Sequence, residues 1–407
     1  MAAGPADLEA ARAIAAAVER FVRAEVIPYE RDPRWTSHGP TAELVEELRE
    51  RARAARLMTP HIVSDGSASH GGSSHGAHLS HRGTALVLRA AGLSPLGPVA
   101  LNVSAPDEGN MFLLGRVASP EQQQQFLAPL IAGRSRSAFF MTEPAEDGGA
   151  GSDPSMMKTT AVKDGEYWVV NGRKAFITGA VGAGVGILMA KSHEGATMFL
   201  VSLPDPAIRI ERVLDTIDGS MAGGHSVVQI ENLRVHQSQL LGASGEGFKY
   251  AQVRLAPARL THCMRWHGAC TRTQELAVDY AVRRQAFGKA LIDHEGVGFM
   301  LADNQIELQQ SWLMIEWCAD VLDGGAPGTL ESSMTKAAVS EGLFRIADRC
   351  VQVMGGTGVT GDTIVEKVFR ELRAFRIYDG PTEVHKWSIA KAIKRDAVKR
   401  DASGRHS

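Results

Sequence analysis

Cysteine is rare in this sequence and never closely paired. Its four residues, Cys263, Cys270, Cys318 and Cys350, are scattered and form no C-x-x-C. That spacing sets aside a dithiol site and predicts reduced, mostly buried thiols in a cytoplasmic protein. Long apolar runs are also missing, so no segment reads as a bilayer-spanning helix. Neither charge sign is in excess: the formal charge is −2, and no global field favours nucleic acid or an acidic membrane. There is no internal repeat, and no linker that would separate independent domains. The Ala-rich, Arg-containing start could pass for a transit peptide. Asp7, Glu9, Glu19 and Glu25 argue against one, because such peptides are poor in acids.

What is present suffices for a large core in two or three domains over 407 residues. Residues 5–133 read as helical. Leu8, Ala11, Ile14, Ala15, Val18, Phe21 and Val22 recur at helical spacing behind Pro5 and a candidate N-cap, Asp7. Thr41–Leu57 repeats the pattern, which returns at Thr84–Ala91 and Asn110–Ala132. Residues 64–82 interrupt it with Ser, Gly and His. Here His61, His70, His75, His78 and His81 fit no helix face and have no cysteine or acid cluster beside them. A solvated loop is expected there, and no metal site.

Residues 136–242 change character. Glu166–Val170, then Asn171-Gly172, then Arg173–Thr178 reads as a hairpin with a tight type I′ turn. Val185–Lys191, Thr197–Leu203, Ile208–Val213 and His225–Ile230 are further strand candidates. Short strands without intervening helices suggest a small antiparallel sandwich or barrel. From 246 the chain is helical again. Phe248–Arg283, Gly296–Leu322, Thr329–Met354 and Thr382–Ala397 are long and amphipathic, as in a bundle. The expected class is α+β: an N-terminal helical domain (1–135), a β-domain (136–245) and a C-terminal four-helix bundle with a basic tail (246–407).

Four stretches could carry chemistry. Asp379-Gly380-Pro381 breaks a charged helical segment after Ile377-Tyr378, and a helix resumes at Thr382. Asp379 therefore sits on a short turn, by itself readable as ordinary surface. In that last helix Val384, Trp387, Ile389, Ala390 and Ile393 are available to a core face. Phe139-Phe140-Met141-Thr142-Glu143-Pro144, followed by Gly151-Ser152-Asp153, offers backbone N–H groups and hydroxyls to a polar ligand edge. In Arg173–Ala180, Phe176 and Thr178 fall on one side of a strand, an aromatic face and a hydroxyl able to cover a planar cofactor. Tyr280–Leu291 ends a helix in Arg283-Arg284, which could be dipole partners or hold a phosphate.

Met-Thr-Glu-Pro with Gly-Ser-Asp, Phe-Ile-Thr, Arg-x-x-Phe-Gly-x-x-Leu, Gln352-Val353-Met354-Gly355-Gly356 and Ile-Tyr-Asp-Gly-Pro-Thr-Glu-Val occur here in that order. Together they make residues 5–398 resemble the acyl-CoA dehydrogenase family of flavoproteins. Asn102–Met111 and the Asp-Gly-Pro-x-Glu-Val-His form at 379–385 look like the branch with vertebrate family members ten and eleven. The resemblance implies a homodimer or homotetramer with FAD in each subunit, acting on an acyl-CoA and passing electrons to an electron-transfer flavoprotein. Met141, Thr142, Ser152, Phe176 and Thr178 would line the isoalloxazine. Arg284, Phe287, Gln352, Gly355 and Gly356 would hold the adenosine diphosphate part across a subunit interface, with Thr382 and Glu383 near FAD. Arg259 matches a CoA-contacting arginine, Asp379 the catalytic base, and Gly380 and Ser152 substrate contacts.

The chemistry needs a carboxylate held against the α-carbon in a dry site, where its pKa can rise towards the operating pH. The sequence departs from the family pattern in four places. Asp379 stands where Glu is usual, Phe176 replaces a common Trp, Ala256 replaces an aspartate of the CoA site, and Ala145–Gly149 is inserted in the first motif. Two other readings stay open. An aspartate base also suits a flavin oxidase of the nitroalkane-oxidase type. Some relatives bind DNA in alkylation response. Here the basic residues Lys391, Lys394, Arg395, Lys399 and Arg400 cluster only at the C-terminal end, which reads as a solvated helix tail.

Overall fold

The computed structural model describes residues 5–63 and 77–402; His70 and His75 of the expected loop lie outside them. Among the described residues four helices of eleven residues or more precede the sheet: α1 (Pro5–Phe21), α2 (Ala42–Ala54), α3 (His81–Ala91) and α4 (Asp107–Val117). Side-chain oxygens begin two of them. Thr41 accepts from Leu44 N at the start of α2, and Ser80 from Gly83 N at the start of α3, each satisfying an amide the helix itself cannot. His81 thus belongs to a helix, one turn earlier than its apolar pattern begins.

The central sheet contains β1 (Ser137–Phe140), β2 (Thr160–Asp164), β3 (Tyr167–Thr178), β4 (Val185–Lys191), β5 (Ala196–Ser202), β6 (Ile208–Leu214) and β7 (His225–His236). Its order is β6-β7-β3-β2-β4-β1, with β5 also on β4. Most pairs are antiparallel, but β4 runs parallel to β1 and touches β2 in parallel. The expected hairpin at Asn171-Gly172 is not there: β3 runs straight through both residues. The turn lies earlier, where Gly165 at φ 61 joins β2 to β3 with Asp164 opposite Tyr167. Gly172 serves close approach instead, since a Cβ there would sit 2.5 Å from Thr159 Oγ1.

Helices α5 (Gly247–Arg283), α6 (Glu295–Asp323), α7 (Thr329–Met354), α8 (Val365–Phe375) and α9 (Thr382–Ala402) complete the chain. One apolar core joins α1, α2 and α3 to α5, α6, α7 and α8, so the two helical regions share an interior. They meet where α5 presses on the end of α3. A Cβ on Gly92 would lie 2.0 Å from Arg265 O, and one on Gly268 2.0 Å from Arg89 O. All four cysteines are free and buried. The expected core face of α9 is not formed, for Trp387 is 61% exposed and Ile393 64%. Among the described residues no helix is long and apolar enough to cross a membrane.

Candidate active site

Asp379 lies on the turn between α8 and α9 in the left-handed region (φ 54), followed by Gly380 at φ 101. Asp tolerates that region better than most residues because its short polar side chain can bond locally. Three neighbours hold the turn. Arg259 Nε donates to Asp379 O at 3.0 Å. Lys336 Nζ donates to Phe375 O at 2.7 Å and to Gly380 O at 2.9 Å. Thr382 Oγ1 donates to Glu341 Oε1 at 2.7 Å, which also takes Arg376 Nε at 2.9 Å. The matched CoA arginine, Arg259, is thus fastened to the backbone of the matched base.

The carboxylate itself is 3.3 Å from His262 Nε2. Burial pushes the Asp379 carboxyl up, but the His262 hydrogen bond and the Arg254 and Arg259 charges outweigh it and hold it below the usual carboxylate range. The sequence-based expectation was a rise; the reversal comes from His262 and Arg254, which no motif announced, together with Arg259. Burial drives His262 down to about 4, with Arg265 adding to it, so the ring is neutral and donates from Nε2. Its Nδ1 has no hydrogen-bond partner among the described residues. The ring packs against both Phe375 and Tyr378, at centroid distances of 5.9 and 5.0 Å.

Behind this pair is a second buried layer. Arg254 Nε donates to Asn110 Oδ1 at 2.8 Å, and its guanidinium lies 4.2 Å over Phe139. Glu108 accepts from Thr261 Oγ1 at 2.6 Å and sits 3.6 Å from Arg265 Nη1. Burial raises its carboxyl above the ordinary value. Arg254, Thr261, His262 and Arg265 recur along one stretch of α5. Only their polarity on a helix otherwise rich in buried residues could have marked them in the sequence.

The sheet supplies another part. Phe176 is 60% exposed at φ 56, and Thr178 is half-buried two residues on. Met141 and Thr142 are stitched to the same strand: Lys174 Nζ donates to Met141 O at 3.1 Å, and Ala175 N to Thr142 O at 2.9 Å. Below them Glu143 is buried. It accepts from Lys158 N (2.6 Å), Thr159 N (2.9 Å), Thr159 Oγ1 (2.6 Å) and Lys174 Nζ (2.9 Å). The inserted segment forms a short 3-10 turn, Ala145–Asp147. Arg173 clips it to the sheet through Glu146 and Asp147, both at 3.3 Å, and Glu211 at 2.8 Å. Ser152 is exposed just beyond.

Arg284, Phe287, Gln352, Gly355 and Gly356 are all on the surface. Phe287 is 98% exposed, and a Cβ on either Gly355 or Gly356 would meet nothing within 4 Å. Thr382 is buried on Glu341, whereas Glu383 is exposed. An aromatic face beside a hydroxyl, with the exposed Arg284 cation and open glycine backbone elsewhere, fits a ligand having a flat ring, polar edges and phosphates.

The acyl-CoA dehydrogenase middle-domain family matches residues 138–233, and the acyl-CoA dehydrogenase C-terminal-domain family matches residues 245–394. The chain is 38% identical over 307 residues to the Mycobacterium tuberculosis probable acyl-CoA dehydrogenase FadE2, covering 73% of this chain and 75% of that one. It is 32% identical over 395 residues to acyl-CoA dehydrogenase family member 11 of Gallus gallus, covering 92% of this chain and 49% of the relative. It thus spans about half the length of that larger protein. A solved structure from Mycobacterium abscessus assigned to the acyl-CoA dehydrogenases superposes with a TM-score of 0.85 at 33% identity, covering 98% of this chain and 100% of that one. The butyryl-CoA dehydrogenase of Megasphaera elsdenii shares the fold with a TM-score of 0.81 at 24% identity, covering 95% of this chain and 98% of that one.

Proposed function

The chain belongs to the acyl-CoA dehydrogenase family and is an FAD-dependent oxidoreductase; from that premise we propose that it oxidises the α,β bond of an acyl-CoA, with Asp379 as the base. The observation that supports this most strongly is the Asp379 carboxylate itself, fixed by a strained turn and by His262. Asp379 takes the α-proton. His262 Nε2–H holds one carboxylate oxygen, leaving the other free to approach the α-carbon. Arg259 and Lys336 fix the backbone carbonyls around the base, and this rigidity offsets the missing methylene of Asp relative to Glu. Gly380, the matched substrate contact, lets His385 pack close beside the base, since a Cβ there would lie 2.8 Å from His385 Nε2. Bound FAD supplies the hydride acceptor.

In this reading Met141, Thr142, Ser152, Phe176 and Thr178 line the isoalloxazine, while Arg284, Phe287, Gln352, Gly355 and Gly356 take the adenosine diphosphate. The exposure of Phe287 and of both glycines supports a seat completed by a second copy. So does an exposed apolar stripe on α6, formed by Phe299, Ile306 and Leu313, which repeats every seven residues. Electrons would then pass to an electron-transfer flavoprotein. The three domain divisions given above, 1–135, 136–245 and 246–407, are part of the same proposal, with the first and last sharing one core.

The test is anaerobic titration of the yellow protein with acyl-CoAs of varied chain length. Bleaching by at least one acyl-CoA, lost in Asp379→Asn with FAD content intact, is the expected result. A wild-type protein that takes up no FAD, or is never bleached, would overturn the proposal. Rapid reoxidation by oxygen would favour the oxidase chemistry instead.

A further inference from the structure

Thr178 on β3 and His225 on β7 are direct cross-strand partners, and Thr178 Oγ1 lies 2.9 Å from His225 Nδ1. On the other side of the ring, His225 Nε2 lies 3.0 Å from Asp218 Oδ2. Asp218 belongs to the loop between β6 and β7, and that loop is fastened from two directions. Trp35 Nε1 donates to Gly219 O at 2.6 Å. From α8, Glu371 accepts Gly219 N and Ser220 Oγ, both at 2.7 Å. The Asp-His-Thr row is therefore a built arrangement, with each member anchored in a different element.

Its hydrogen bonds have only one consistent direction when the ring is neutral. Burial pushes the Asp218 carboxyl up, but bonds from His225 and Thr216 bring it below its ordinary value, so it is ionised and can only accept. Nε2 must then carry the ring proton, Nδ1 must be the acceptor, and the Thr178 O–H must be the donor. The hydroxyl hydrogen points back into the sheet. What Thr178 presents beside the exposed Phe176 ring is oxygen lone pairs.

We propose that Asp218 and His225 are positioning residues that fix Thr178 as a hydrogen-bond acceptor towards the flavin. This rests on the FAD reading above. A flavin ring gains N–H character on reduction, so an acceptor locked against it favours the reduced ring. Without His225 the hydroxyl can turn and donate, which favours the oxidised ring.

Spectroelectrochemical titration of the FAD-loaded protein tests this. His225→Phe should lower the midpoint potential. A tenfold change in the reduced-to-oxidised ratio, about 30 mV for a two-electron couple, is the expected scale. Asp218→Ala, which frees the ring tautomer, should shift it in the same direction and serves if His225→Phe does not fold. Adding His225→Phe to Thr178→Val should change the potential no further. An unchanged potential in both His225→Phe and Asp218→Ala, or a full shift surviving in the Thr178→Val background, would overturn the inference while leaving the dehydrogenase reading intact. A wild-type protein that holds no flavin would instead sink that reading and the inference with it.

Discussion

Two carboxyl groups eight residues apart, Glu371 inside α8 and Asp379 just after it, are held in opposite states. Asp379 has Arg254, Arg259 and His262 around it and stays ionised. Glu371 accepts two hydrogen bonds and lies in the field of Lys367 and Arg370, but burial, with the Asp218 charge adding to it, outweighs these and raises it to about 7. The lesson is that the same functional group becomes a standing anion or a half-protonated acid according to which charges the fold brings near. Proximity in sequence says nothing about which.

The largest effect expected from breaking this contrast is at Asp379. Asp379→Asn keeps shape and hydrogen bonding but cannot take the proton, so the anaerobic rate of flavin reduction by acyl-CoA should fall by roughly 10²–10⁴. Asp379→Glu should retain reduced activity. A wild-type rate in Asp379→Asn would return the turn to being only a turn.

Glu143 supplies a third carboxylate for comparison, paired inside the sheet with Lys174. Burial acts upward on Glu143, but Lys174 and the Thr159 and Lys158 bonds bring it to about 2. Lys174→Met leaves that anion buried without its cation, at a cost of about 3–5 kcal/mol in unfolding free energy, measurable by urea denaturation. Because the folded carboxyl is held low, the stabilisation is complete above its unfolded value and is lost as pH falls towards 2. An unaltered urea midpoint would show that the backbone donors alone suffice.

Glu371 should behave in the opposite sense. Its folded value lies above its unfolded one, so its contribution is most favourable below about 4.3 and is lost as pH rises through about 7. Glu371→Gln should remove that slope and stabilise the protein at pH 8, by at most about 4 kcal/mol. Parallel stability–pH curves for variant and wild type would refute the assignment. The smallest expected effect is at Arg254. Arg254→Gln removes one cation from the Asp379 site, so the acid limb of kcat/KM should move to higher pH; an unmoved limb would mean that His262 and Arg259 alone set the base.

How much of this could be read from the sequence depended on whether the signal was local. Gly380 and Pro381 enforce a turn whatever surrounds them, and the order of motifs around Met141, Phe176 and Asp379 pointed to the family. Asn171-Gly172 misled because the same glycine that permits a tight turn also permits another chain to come close, and Thr159 is that chain. Trp387 and Ile393 misled because helical spacing marks a face without saying what covers it. His262, Arg254, Asp218 and His225 acquire roles only through neighbours on other elements, so no local pattern singled them out.

The contact of α3 with α5 at Gly92 and Gly268 also has a consequence for how the chain is made. Those glycines are separated by 176 residues, and synthesis at about 5–20 residues per second puts on the order of ten seconds or more between them. For that interval the apolar sides of α1 and α3 have been synthesised and their long partner has not. A ribosome-bound nascent chain would expose this surface until α5 emerges.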